Sequence, residues 1–194
     1  MFLFLFLFFI ILFLFIMAKY RRYRRYRRRS GKWAANLQEI NTTTIQAPNS
    51  SQFYWTYTLA FNPTQVNTSV SQVFTVKNLE VNFYIDTEND SSAKIEDVCA
   101  YIMFVPQGMT VGLDYNLNHP EYIMAYKYLG SPTFEATSHS NARQEYQPSR
   151  IKTRLSRKLQ SGDNVVLLLK GSNLGSVDST FDIHGLLRWW TKAN

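Results

Sequence analysis

The residues of this chain best equipped for chemistry crowd into one run. KYRRYRRYRRRSGK, from Lys19 to Lys32, holds nine cations: Lys19, Arg21, Arg22, Arg24, Arg25, Arg27, Arg28, Arg29 and Lys32. Tyr20, Tyr23 and Tyr26 stand among them at intervals of three, and no acid interrupts the run. An arginine guanidinium is a planar fork of donors that meets phosphate oxygens in two parallel bonds. A tyrosine ring offers a flat face on which an unpaired base stacks, for about 1–3 kcal/mol per base. A spacing of three suits no stable amphipathic helix, and the run has no apolar stripe to bury. Such a block repels itself, stays extended and seeks a polyanion. Nothing in it selects a base sequence, so the binding expected is non-specific and salt-sensitive. Nine single-stranded phosphate contacts would give log K against log salt a slope of about −6. The run also has the composition of a nuclear import signal. Beside a membrane it would act instead as a topogenic or anionic-lipid patch.

The membrane question arises because residues 1–16 read MFLFLFLFFIILFLFI. No charged side chain occurs before Lys19, so the stretch just reaches spanning length. As an anchor it would put the arginine cluster, and the body behind it, in the cytoplasm. It makes a poor secretory signal, with no basic n-region and no small-residue cleavage site. Between residues 2 and 16 only Phe, Leu and Ile occur, whereas spanning helices include small residues where they touch. The codons of these residues share a central T, so a T-rich tract read in frame writes such text. Met17 then begins MAKYRRYRRYRRRS. The expectation is an upstream in-frame extension over residues 1–16, a basic arm over 17–32 and a folded body over 33–194. The alternative is a single-pass membrane protein with a polybasic juxtamembrane segment and a cytoplasmic β-sandwich interaction domain.

Stepping past Gly31, the composition changes to Ser, Thr, Asn, Val and aromatics. The chain carries 21 Lys+Arg and 14 Asp+Glu, so from Trp33 onward 12 cations meet all 14 acids and the body is nearly neutral. Short β-type runs alternate with turn clusters, and no long helical period appears. Strands are predicted over Leu37–Gln46, Phe53–Phe61, Val73–Val76, Leu79–Asp86, Ile95–Val105, Tyr122–Tyr128, Arg150–Leu155, Asn164–Lys170 and Thr180–Trp190. In LEVNFYI the residues Leu79, Val81, Phe83 and Ile85 share one face; in the last run Phe181, Ile183 and Leu187 face inward. The fold class expected is all-β: a single jelly roll, that is a two-sheet antiparallel sandwich, preceded by a disordered basic arm. The alternative for Asn116 to Lys127, which overlaps the Tyr122–Tyr128 strand, is a helical turn within a partly helical loop. Trp55, Tyr57, Trp189 and Trp190 are candidates for core or subunit contacts.

One strand extends the basic theme. In SRIKTRLSRKL, Arg150, Lys152 and Arg154 alternate with Ile151, Thr153 and Leu155, giving a half-apolar strand with a basic outer face. Such a face either discourages edge pairing or continues a nucleic-acid surface. Signals for catalysis are missing: there is no phosphate-binding glycine loop, G-x-S-x-G elbow or H-E-x-x-H helix. No enzyme, cofactor or metal site is expected. His119, His139 and His184 lack ligand spacing. DTENDSS, from Asp86, starts like a calcium loop but lacks its glycine and its final Glu. Lone Cys99 reads as a small buried hydrophobe and excludes an internal disulfide.

An Arg/Tyr-rich start before a β-sandwich-sized body resembles the capsid proteins of circular single-stranded DNA viruses, the circovirus-like, unclassified group. The runs CAYIMFVPQG, HPEYIMAYKYLGSP, SRIKTRLSRKLQSGDNVVLLLKG and FDIHGLLRWWTKAN extend the resemblance over most of residues 17–194. It implies a jelly-roll subunit that self-associates, in about sixty copies, into a small icosahedral shell. It also implies a single-stranded DNA genome held by Lys19 to Lys32, passage through the host nuclear import machinery, and residence in the host nucleus during assembly and then in the virion. A host-cell receptor is implied without a chemistry. Two features depart from the pattern: the arm is shorter than in circoviruses proper, and residues 1–16 have no counterpart.

Overall fold

The computed structural model describes residues 32–40, 45–63, 73–87, 95–130 and 148–193. These residues form ten strands: β1 (Ala34–Ile40), β2 (Ile45–Ala47), β3 (Ser51–Phe61), β4 (Phe74–Thr87), β5 (Ile95–Val105), β6 (Ile123–Gly130), β7 (Ser149–Lys152), β8 (Ser156–Leu159), β9 (Asn164–Asn173) and β10 (Ser179–Ala193). A short helix α1 (Tyr115–Asn118) and a 3-10 turn (Pro120–Tyr122) lie between β5 and β6. Among the described residues no helix is long and apolar enough to cross a membrane. Residues 1–16 and the arm as far as Gly31 lie outside them.

The strands make two antiparallel sheets. In one, β10 lies between β4 and the end-to-end pair β1 and β2, and the far side of β4 is lined end to end by β7 and β8. The other runs β3-β9-β5-β6. Counting each end-to-end pair as one position, the first strand lies beside the last, the second beside the seventh, the third beside the sixth and the fourth beside the fifth. A long antiparallel ribbon wound once around a barrel gives this pairing, and it is the jelly roll.

Alternation places the inner face. Leu79, Val81 and Phe83 of β4, Phe181, Ile183 and Leu187 of β10, and Leu167 and Leu169 of β9 are buried in the layer between the sheets. Phe53 and Phe181 meet edge to face across it, with centroids 5.3 Å apart. Along β9 the residues Val165 to Leu169 are all buried, on both faces. The second cover comes from the β5–β6 connection, which folds over the outside of its own sheet. Tyr115 and Val111 pack there with Met103, Val105, Val166 and Leu168. The helical turn expected in that connection is thus α1, lying on a small second core.

Several strand limits differ from those read off the sequence. Leu37–Gln46 is split into β1 and β2, with residues 41–44 outside the described ones. The two runs Val73–Val76 and Leu79–Asp86 are one strand joined by a bulge. Asn78 sits there with φ of 51°, a left-handed conformation that Asn tolerates better than most residues. Arg150–Leu155 ends at Lys152, and SRKL, unmarked in the sequence, is β8.

Buried polar side chains tie the loops at both ends. Asp163 accepts from the backbone N–H of Gln160 at 2.8 Å and of Gln107 at 3.0 Å, and Asn62 donates to the carbonyl of Leu159 at 2.9 Å. Gly162, at φ +85°, completes this corner, because a Cβ there would lie 2.5 Å from the Gln107 side chain. At the other end Asn173 donates to the carbonyls of Ala47 (2.8 Å) and Val177 (2.9 Å) and accepts from Gly175 at 2.9 Å. Asp163→Ala is expected to cost about 1–3 kcal/mol for each of its two backbone donors left without an acceptor, read as a lowered urea midpoint.

The outer connection is sensitive to alkali. Burial pushes the phenols of Tyr101 and Tyr115 up to about 12 from the ordinary value of 10.0. A raised folded-state value means that the stability these groups confer is intact below pH 10 and is lost as pH climbs toward 12. A pH titration followed by tyrosinate absorbance should show a delayed component that moves to the ordinary range in urea. Tyr115→Phe should remove part of it.

Candidate nucleic-acid interface

Of the arm residues, Lys19, Tyr20, Arg21, Arg22, Tyr23, Arg24, Arg25, Tyr26, Arg27, Arg28 and Arg29 lie outside the described residues, and Lys32 is exposed. The secondary basic residues are all described. Ile151 and Thr153 point inward and are buried, while Arg150, Lys152 and Arg154 are exposed, as the alternation requires. The alternation then fails. The Thr153 hydroxyl accepts from the N–H of Leu155 at 3.0 Å, turning the chain, and Leu155 is exposed rather than inward. Arg154 therefore sits at a corner, off the ladder.

Arg150 and Lys152 flank Glu80. Arg150 Nη2 lies 2.8 Å from Glu80 Oε2, and Lys152 is the direct β7 partner of Glu80. Arg150's hydrogen bond is the main cause holding the Glu80 carboxyl below its ordinary value of 4.5; partial burial opposes it. A depressed carboxylate stabilises the fold above the ordinary value, and that contribution fades as pH falls through the lowered one. The pair is surface-exposed, so it is worth at most about 1 kcal/mol.

Register shows that these three residues belong to a larger face. On β10, Arg188 is the partner of Glu80 from the other side. One step along, Lys77 of β4 lies between Ser156 of β8 and Trp190 of β10. Thr75 lies between Lys158 and Lys192. The outward side of this sheet thus gathers Lys77, Arg150, Lys152, Lys158, Arg188 and Lys192. Its described carboxylates are Glu80 near the middle, Glu39 at the β1 edge and Asp182 toward the far end. Arg188 lies over the Trp190 indole at 4.7 Å. Arg157, though on the same strand as Lys158, turns inward: it donates to the Glu121 carbonyl at 2.9 Å and lies over Phe104 at 5.4 Å.

The opposite sheet has another character. Tyr54, Tyr126 and Tyr128 are exposed on it, and Lys170 is paired with Asp114 at 3.4 Å. Cys99, expected in the core, is half-buried on this outer side, its Sγ 3.7 Å from the Tyr126 hydroxyl. The cause is Asp97, at φ 53°, where the β5 register shifts and sends Val98 and Ala100 inward instead. His184 stacks on Tyr84 at 5.2 Å, and His119 packs beside Tyr115 and Tyr122. Among the described residues no three His, Cys, Asp or Glu converge as metal ligands. His139 and most of the DTENDSS run lie outside the described residues.

No protein-family model matches the sequence, and no curated protein matches it. Two solved structures of infectious bursal disease virus are similar in backbone. The Gx strain matches at TM-score 0.34 and 8% identity over 81% of this chain and 32% of that one. The Gt strain matches at TM-score 0.33 and 8% identity over 80% and 32%. The chain spans about a third of the length of those it matches.

Sequence reading missed Lys77, Lys158, Arg188, Trp190 and Lys192 as members of one face. Glu80→Gln removes the central carboxylate and frees Arg150. It is expected to tighten binding to a single-stranded oligonucleotide and to steepen the salt slope by about 0.7, measured by titration at several salt concentrations.

Proposed function

We propose that the chain is a viral capsid protein. Its jelly-roll body self-assembles into a small icosahedral shell, and its arm, Lys19 to Lys32, packages a single-stranded DNA genome. The observation that carries the reading is a division of charge. Nine cations without an acid precede a β body whose remaining 12 cations meet 14 acids. A nearly neutral body packs against its copies without accumulating repulsion, while a cationic leader follows an irregular strand. A jelly roll also suits a container: its two-sheet wall closes most of its own edges and leaves the loops at its ends to vary. About sixty arms would bring roughly 540 positive charges inside, so assembly is coupled to polyanion binding through counterion release. The same arm serves for nuclear import before assembly, which makes the host nucleus and then the virion its places of residence.

Expression of the protein with and without Lys19–Lys32 tests this. The intact form is expected to give closed particles, seen by electron microscopy, that protect DNA from nuclease. The truncated form should enclose far less. Monomers or trimers that retain no nucleic acid would refute the reading.

A further inference from the structure

Lys77, Arg188, Trp190 and Lys192 come from two neighbouring strands and stand together on the basic face. Trp190 is half-buried and is the direct partner of Lys77. Arg188 and Lys192, two residues away on either side, project to the same side of β10 because side chains alternate along a strand. Across the other edge of β10, Trp190 faces Ala35, whose side chain is too small to cover an indole. Thr75, between Lys192 and Lys158, is equally small. The ring is therefore bracketed by three cations, its direct β1 partner is small, and the bulky Leu37 of the same β1 face stands beside Arg188 instead.

We propose that this cluster is a nucleotide-binding site for single-stranded nucleic acid, separate from the arm. An unpaired base stacks on the layer formed by Trp190 and the Arg188 guanidinium, and Lys77, Lys192 and Lys158 meet the flanking phosphates. Base stacking on aromatic and guanidinium planes with backbone contacts alongside is how unpaired strands are held without sequence choice. Two observations favour a nucleic acid over other polyanions. The cations surround an aromatic ring, which a purely anionic polymer would not use. The cluster also adjoins Ala34, the partner of Thr191 and the point where the arm joins the sheet. The inference rests on the capsid reading's claim that the arm holds single-stranded nucleic acid.

The test uses the full chain and oligothymidylate of about 30 nucleotides, longer than a single binding groove covers. Trp190→Ala should weaken binding about fivefold or more, with Trp190→Phe retaining part of the affinity. Lys77→Gln with Lys192→Gln should reduce the salt slope by about 1.4, or 0.7 per lost phosphate contact. Lys127→Gln, on the other sheet, should leave it unchanged. In the unsubstituted protein, bound oligonucleotide should protect Lys77 and Lys192 from acetylation and leave Lys127 reactive, a readout independent of any variant's folding. Binding with the slope unaltered in the double variant, and lysines acetylated equally with and without oligonucleotide, would overturn this site while sparing the arm. No binding by the unsubstituted chain would overturn both.

Discussion

The sandwich depends on the apolar layer shared by its two sheets. Phe53, Phe83 and Phe181 fill that layer, and Phe53 and Phe83 each pair, within their own sheet, with a glycine on the next strand. A Cβ at Gly171 would lie 2.8 Å from the Phe53 ring, and one at Gly185 would lie 2.9 Å from the Phe83 Cβ and 2.7 Å from the Asn82 carbonyl. Each glycine thus leaves room for its cross-strand phenylalanine within the same sheet, while the Phe53 ring reaches across the layer to the Phe181 ring. Each fully buried side chain of this size contributes about 1.5–3 kcal/mol relative to exposure. Slipping a strand by one residue would turn its whole apolar set outward, so this layer fixes every outward position as well.

With the inner faces fixed, the outer faces are free to differ, and they do. The side containing β4 and β10 carries cations around one indole. The side containing β3, β9, β5 and β6 carries tyrosines and a flap that hides Val166 and Leu168. Net charge alone conceals this, because a body of 12 cations and 14 acids looks featureless. What acts on a charged strand is the local potential over a face, and low-dielectric protein behind that face concentrates it.

How much of this the sequence shows depends on whether alternation persists. LEVNFYI is regular, and its inward set is buried as read, with Ile85 half-buried. NVVLLLK, a continuous apolar run, carried the signal of a strand covered on both faces, and the covering flap explains it. Two bulges defeat the pattern. With an extra residue at Asn78, Val76 and Leu79 face inward together and Lys77 is thrown outward; strict alternation back from Leu79 would have buried it. At Asp97 the same effect moves Cys99 out of the core. SRKL escaped notice because only Leu159 of its four residues is buried and Arg157 uses an inward position for a carbonyl and a ring. The basic face is assembled by register between strands distant in sequence, and no local window holds that information.

The winding of the ribbon has one further consequence. β1 and β10 come from opposite ends of the described chain, and each residue from Ala34 to Ile40 has a partner in β10. Such non-local pairs form late, because the loop they close must be ordered before the contact rewards it. Until β1 docks, the indole of Trp190 has no fixed neighbour on that side. Docking of β1 therefore completes the outward face around Trp190 as well as the inner layer that Ile40 joins. On the proposed reading, a polyanion seated on that face would bind the folded form more tightly than the unfolded chain, and by linkage it would stabilise the pairing that closes the sandwich.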